Sequence, residues 1–386
     1  MFNERSCIAC HSLGGSGGAG GLNRNVELLT AKPPADAKQF SQFLRSLRSL
    51  HPAFAASTSI VLHRASIRPD YQIFRGQLLG LLPADVVEAQ ELLPTIKDEP
   101  LEKGPVKVID KGRVTLLLSQ RNTTPLFGLA AIDSISKEEI EKTIAVEHHE
   151  DGNVTGRFVG RFGWRGQVAD LRGFVLGACA VEIGLQSKDH PAPIGPGIGA
   201  SADEDLTPQQ CDDLVAFVAA LPAPIRANAK TLDEETGALR GEHLFHSTGC
   251  AVCHRPQLGT VFGVYSDLLV HDMGTILEDP APASSVVSTQ YYGPPPDLNS
   301  PLAAQRRREW KTPPLWGLSD SGPYLHDGRA KTIHDAILAH GGEAKRSLGR
   351  YQRLTPTQQR CLSFFLSTLQ APNAALLAGL GKAPAG

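Results

Sequence analysis

The chain has 386 residues, with 38 Lys plus Arg against 40 Asp plus Glu. At about 150 residues per domain this length predicts two to three domains. The balanced charge excludes a general pull towards nucleic acid, and no apolar run reaches the ~18 residues that a bilayer span needs. The 38 Gly and 28 Pro make loops abundant and regular elements short, and seven Cys are too few for a disulfide scaffold of this size.

Cys7-Ile8-Ala9-Cys10-His11 stands near the start, and Cys250-Ala251-Val252-Cys253-His254 repeats its C-x-x-C-H pattern. This is the attachment signature of c-type haem. Two thiols one turn apart can form thioethers to the two vinyl groups of one porphyrin, and the adjacent His can bind iron from the proximal side. A zinc site or a redox dithiol also uses C-x-x-C. Neither motif has a second Cys or His pair at zinc-finger distance downstream. Covalent haem attachment takes place outside the cytoplasm, so a periplasmic or otherwise extracytoplasmic location is expected. Met1–Ser6 holds no signal peptide, and only Phe2 remains of a helix before the first motif, so the natural N-terminus is expected to lie upstream.

Gly14–Gly21 lacks the Lys-Ser/Thr of a phosphate loop and reads as a flexible loop at a haem edge. Val106–Ser119 around Asp110-Lys111-Gly112 reads as a β-hairpin, and Ala145–Phe158 around Asp151-Gly152 as a second, with His148-His149 near its tip. Asn122–Leu129 parallels Lys311–Leu318, and Leu206-Thr207-Pro208-Gln209-Gln210 parallels Leu354-Thr355-Pro356-Thr357-Gln358. The last two are capping boxes with Pro at the first helical position. Each predicts a helix, with apolar Leu214, Phe217, Val218 and Leu221 in one and Leu362, Phe365, Leu366 and Leu369 in the other. A polar linker is expected near Pro222–Glu235, a helix against the haem edge from Gly241 to Phe245, and an irregular Pro/Ser stretch at Pro280–Pro296. The expected fold is mainly α. It has two cytochrome c-like domains, residues 1–225 and 236–386, with β-hairpin insertions in the first.

On these motifs the chain resembles the bacterial di-haem cytochrome c peroxidase superfamily, closest to its di-haem thiol-oxidoreductase-like branch. The resemblance is carried by Val264–Gly274, by Glu309–Gly317 through His326-Asp327-Gly328-Arg329 to His340-Gly341-Gly342-Glu343, and by Gly160–Trp164 through Glu182-Ile183-Gly184. It implies an oxidoreductase in which one haem transfers electrons and the other meets peroxide. His11 and His254 would be the proximal ligands. The electron-transfer haem takes its second ligand fourteen positions after the His of H-D-G, which runs here from His326 to His340. Peroxidases of the family usually have Met there and cofactor-maturing members have Tyr; paired His ligands lower a haem potential. Met273 is the rival ligand, and a carbonyl-capping His at a helix end is the other reading of His340.

For the first haem the family's removable distal His would fall at Glu27, and no His lies between His11 and His51. The resemblance therefore implies an open or weakly ligated iron, with His51 and His63 as distant candidates. Glu182, in a V-E-x-G string, matches the family's acid/base carboxylate, and the family's distal Gln would fall at Phe174. Trp164 matches the Trp between the two haems. Asn122, Ser321 and Pro323 match the family's calcium site. Cys179 reads as a buried thiol, and Cys211 and Cys361 have no assigned role. Expected partners are hydrogen peroxide or another small oxidant and a small electron-donor protein of cytochrome c or cupredoxin type. A non-enzymatic di-haem electron carrier is the alternative.

Overall fold

The structure is a computed structural model that describes residues 1–34, 36–55, 58–80, 107–151, 153–197, 203–279 and 303–372. Helices dominate it, with small antiparallel sheets at the edges. Val26–Lys32 (β1), Ser59–Val61 (β2), Lys107–Asp110 (β3) and Thr115–Arg121 (β4) form one sheet in the order β2-β1-β4-β3. The expected hairpin is present as β3 and β4. Its turn is closed by the Gly112 amide donating to Asp110 Oδ1 at 2.8 Å, with Gly112 at φ +72°. It is not a free-standing insertion. Leu29, Leu116 and Leu118 pack against Phe43 and Leu47 of α1 (Phe40–Leu50) and Leu78 of α2 (Tyr71–Leu79).

Among the described residues the second expected hairpin does not form. After α3 (Leu129–Ser134), α4 runs from Lys137 to Glu150, so the backbone of His148 and His149 is helical and not a turn tip. Ser136 caps α4 by accepting from the Glu139 amide, and Glu138 and Glu139 oppose the helix dipole. Ile140, Thr143 and Glu147 recur at helical spacing on its buried face. Asp151 is its C-cap, and among the described residues from 153 to 158 the chain makes one isolated bridge, from Arg157 to Val270.

Leu171–Ala178 (α5) continues into a π-turn, Cys179–Ile183. Both expected capping boxes form. Thr207 and Gln210 start Pro208–Ala219 (α6), and Thr355 and Gln358 start Pro356–Ser367, which is α10 after Leu232–Ser247 (α7), Ile333–Leu338 (α8) and Lys345–Gln352 (α9). Leu362, Phe365, Leu366 and Leu369 are buried as their spacing requires, whereas Phe217 of α6 is exposed. Helix α7 starts at Leu232, inside the expected linker and nine residues before Gly241. Ile225–Arg226 (β5) in that linker pairs with Leu369–Gln370 (β8) near the end of the second half. Between these two in sequence, Val270–Asp272 (β6) pairs with Glu309–Lys311 (β7). The largest apolar cluster draws Phe127, Leu171 and Phe174 from the first half and Val264, Leu268, Leu269 and Trp316 from the second. The Pro280–Pro296 stretch lies outside the described residues. No described helix is long and apolar enough to cross a membrane.

Candidate functional site

Each C-x-x-C-H string folds into the same local structure. Cys7–Ala9 and Cys250–Val252 are single 3-10 turns, and the amides of His11 and His254 donate to the carbonyls of Cys7 and Cys250, both at 2.9 Å. The turn brings two thiols and one imidazole to the wall of a cavity. The first cavity, about 290 Å³, is lined by Cys7, Cys10 and His11, and the second, about 280 Å³, by Cys250, Cys253 and His254.

The imidazoles are prepared as neutral donors of an electron pair. His11 Nδ1 lies 3.1 Å from the Gly18 carbonyl, His254 Nδ1 3.1 Å from that of Tyr265, and His340 Nδ1 2.8 Å from that of Ala336. A carbonyl only accepts, so each Nδ1 carries the proton and each Nε2 keeps its lone pair. Burial pulls His11 and His254 down to about 4 and lowers His340, so none is a cation at neutral pH. The Gly14–Gly21 segment is a closed turn and not a loose loop, with Gly18 as the partner of His11. A Cβ at Gly17, which has φ +91°, would meet Leu221 at 2.7 Å.

In the second cavity His254 and His340 face one another with ring centroids 6.4 Å apart. Two imidazoles on opposite sides of one metal at about 2 Å each put their ring centres on the order of 6 Å apart. The donor set therefore fits a metal held between two neutral imidazoles. Met273 also lines this cavity, packed in the apolar cluster around Leu277, Trp310 and Ala339.

The first cavity has one imidazole. Strand alternation on β1 turns Val26 and Leu28 to the cavity and Glu27 away, where it pairs with buried Arg75 on α2. His51 and His63 are absent from the lining. His63 Nε2 donates to the Val181 carbonyl at 2.8 Å, and His51 Nδ1 accepts from the Ala53 amide at 3.1 Å. Both are core histidines. Phe174, where the family's Gln would fall, lines the cavity and stacks on Phe162 with centroids 5.4 Å apart.

Glu182 sits on the π-turn and lines the first cavity. One-turn π segments often mark functional positions. The Asn3 side-chain amide donates to Glu182 Oε2 at 2.5 Å, and the Asn3 main-chain amide donates to the Glu182 carbonyl at 2.7 Å. Trp164 lines both cavities. Its indole N–H donates to the Asn122 carbonyl at 2.8 Å, and its own carbonyl accepts from the Lys311 amide at 2.9 Å. Asn122, Ser321 and Pro323 all reach the wall of the second cavity. Asn122 Nδ2 donates to the Gly20 carbonyl and to Asn25 Oδ1.

The thiols are not poised as thiolates. Burial raises Cys7 and Cys250 and pushes Cys10 and Cys253 up to about 11. Among the described residues, the one cluster of three His, Cys, Asp or Glu ligand atoms within 4.8 Å is Cys253, Asp267 and His271, which takes a single residue from a motif. This arrangement is unlike a C-x-x-C zinc site. Cys179 is buried on the first cavity and pushed up to about 12 by that burial.

Several buried charges were not evident as site residues from the sequence. Arg121 pairs with Asp279 through two contacts of 2.9 and 3.0 Å. Arg165 lies 4.0 Å over the ring of Trp310, which stacks on His326 at 3.6 Å. His271 joins Asp267 to Glu343 at the second cavity. The strings that hold these residues stand out in the sequence, but pairings between distant segments leave no periodic signal.

A family model described as "Di-haem oxidoreductase, putative peroxidase" matches residues 110–369. The chain is similar to methylamine utilization protein MauG of Methylorubrum extorquens, 32% identical over 146 residues, or 36% of each chain. It is also similar to hydrazine synthase subunit gamma of Kuenenia stuttgartiensis, 27% identical over 149 residues, 35% of this chain and 42% of that one. The matched stretch thus spans about two fifths of the curated relatives' lengths. A solved structure of Kuenenia stuttgartiensis hydrazine synthase aligns with 65% of this chain and 73% of its own at 21% identity, with a TM-score of 0.36.

Proposed function

Since this chain belongs to the di-haem oxidoreductase family, we propose that it holds two c-type haems in unlike surroundings and reduces peroxide at one with electrons drawn through the other. The observation that carries this reading is the inequality of the two cavities. One has a facing pair of imidazoles, His254 and His340, and the other has the single imidazole of His11 with Glu182 on its wall.

Haem supplies one-electron storage and a centre for cleaving an O–O bond when it is bound. Cys7 and Cys10 would hold one group and Cys250 and Cys253 the other through thioethers. His11 and His254 would bind from the proximal side, and His340 would close the second cavity. Glu182 is the group that takes a proton from one peroxide oxygen and delivers it to the other, in the balance H2O2 + 2 e⁻ + 2 H⁺ → 2 H2O. The other carboxylate on this wall, Glu4, is paired with Arg24, which leaves Glu182 as the acid/base group. Trp164, shared by both cavities, is the residue across which electrons pass.

The repeated turn and the repeated capped helix support two cytochrome c-like units, residues 1–225 and 236–386, that share a core. Asn122, Ser321 and Pro323 offer neutral oxygens suited to calcium between them. Thioether chemistry favours an extracytoplasmic, periplasmic setting and a small donor protein such as a cytochrome c or a cupredoxin.

Electron paramagnetic resonance and absorption spectra of the haem-loaded protein, with and without peroxide, test the reading. Two covalent haems are expected, one low-spin and inert and one that changes with peroxide. Two low-spin haems that both ignore peroxide in the ferric and reduced states would make the protein an electron carrier and remove the enzyme reading.

A further inference from the structure

His271 lines the second cavity beside His254 and His340, yet its ring has no lone pair to offer. Its Nδ1 lies 2.9 Å from Glu343 Oε2 and its Nε2 3.0 Å from Asp267 Oδ2. With a carboxylate at each nitrogen, both nitrogens donate, and the ring is an imidazolium held between two anions. Asp267 is fully buried, and its other oxygen accepts from the Leu269 amide at 2.7 Å. Nearby Lys311 is buried as well, and burial beside Asp267 keeps the neighbouring Glu147 protonated. The cluster thus sets Asp267 and Glu343 against His271 and Lys311, and its charges balance.

Glu343 lies three residues after His340, and only Gly341 and Gly342 separate them. Its carboxylate also accepts from the Thr155 amide at 2.8 Å and from the Asp272 amide at 3.2 Å. The two glycines lie directly on the end of β6. A Cβ at Gly342, which has φ +50°, would sit 2.0 Å from the Asp272 carbonyl oxygen, and one at Gly341 would sit 3.0 Å from that of Met273. At Gly342 only glycine permits this approach, and at Gly341 a side chain would be tight. His340 is therefore fixed from both directions: by the α8 carbonyl of Ala336 behind it and by the Glu343 anchor ahead of it.

We propose that Asp267, His271 and Glu343 form a buried charged latch that pins the Gly341–Gly342 turn to β6 and so positions His340, rather than Met273, as the second axial group of this cavity. The proposal rests on the reading of His340 as a haem ligand. Asp267, His271 and Glu343 are positioning residues. The latch is needed because Met273 lines the same cavity and its carbonyl abuts the same turn, so a loosened turn would let the thioether compete with the imidazole.

The test uses the full haem-loaded chain and two variants, Glu343→Ala and His271→Asn, with ferric paramagnetic resonance spectra and a redox titration of each haem. The first haem serves as the internal control. The latch predicts that both variants lose most of the paired-imidazole low-spin signal of the second haem and gain a high-spin or sulfur-ligated one. The potential of that haem should rise while the signals of the first haem stay unchanged. Amide hydrogen exchange at residues 339–344 should speed up in the same variants. Because the two substitutions break the latch at different points, failure of one to fold leaves the other to decide. A full paired-imidazole signal at an unchanged potential in a folded variant overturns the latch and leaves the ligand reading standing. A wild-type protein without that signal overturns the ligand reading and the latch with it.

Discussion

The side-chain amide of Asn3 donates to the carboxylate of Glu182 at 2.5 Å, tying the chain's first residues to the π-turn over the first cavity. The main-chain amides of Asn3 and Glu4 both donate to the Glu182 carbonyl as well, so one short segment holds the backbone of Glu182 as well as its carboxylate.

Replacing Glu182 with Gln keeps the shape and the hydrogen-bonding reach but removes the transferable proton. The rate of reaction with peroxide should fall by about 10²- to 10⁴-fold, the usual contribution of a positioned acid/base group. Haem content and melting temperature should remain those of the wild type. Stopped-flow spectra at the first haem read the rate, and an unchanged rate would remove Glu182 from the chemistry.

Trp164 lines both cavities, as Asn122 and Phe174 also do, and donates to the Asn122 carbonyl. Trp164→Phe keeps an aromatic ring but leaves that buried carbonyl without its partner, which costs about 1–3 kcal/mol in unfolding free energy. Electron equilibration between the haems should slow measurably after rapid mixing with a reductant, while each haem keeps its own spectrum. Equal equilibration rates in the two proteins would mean that electrons do not pass this ring.

Much of this site was legible because it is local. The C-x-x-C-H turns and the two capping boxes are set by bonds within a few residues, whereas the step from His326 to His340 came from the family resemblance. What stayed hidden was set by distance or by burial on both faces. Strand β1 carries Glu27 between Val26 and Leu28, and its pairing with Arg75, 48 residues away, lets that carboxylate sit in the core. Asp151-Gly152 carries a hairpin signal, but the buried face of Ile140, Thr143 and Glu147 outweighs it and keeps α4 helical. The His271–Glu343 contact spans 72 residues and depends on two glycines lying flat on a strand.

His340→Met tests the ligand pair directly. The exchange replaces a neutral imidazole with a thioether, and His/Met ligation holds a haem at a higher potential than paired imidazoles. The midpoint of the second haem should rise by on the order of 100 mV. The first haem should keep its midpoint. A redox titration followed at two wavelengths separates the two, and an unmoved second midpoint would show that residue 340 does not face the iron.

Glu147 makes stability depend on pH in a direction opposite to that of most carboxylates. It is wholly buried, and desolvation, helped by the charge of Asp267, pushes its carboxyl up to about 9 from an ordinary 4.5. The folded chain therefore keeps this proton while the unfolded chain releases it. The resulting stability is fully present below pH 4.5 and drains away as pH rises towards 9. Histidines lowered by burial, such as His11 and His254, act in the other sense only below about 6.5. Lys311, lowered to about 8, begins to add stability only above that value. From about pH 6.5 to 8 the Glu147 contribution falls with a limiting slope of about 1.4 kcal/mol per pH unit, alongside that of His271, which against the cost of its burial Asp267 holds well above the ordinary imidazole value and which drains in the same sense. Glu147→Gln removes the Glu147 part. Urea unfolding at both ends of that window should show the variant gaining on the wild type as pH rises. A constant difference between the two proteins would place the Glu147 proton elsewhere.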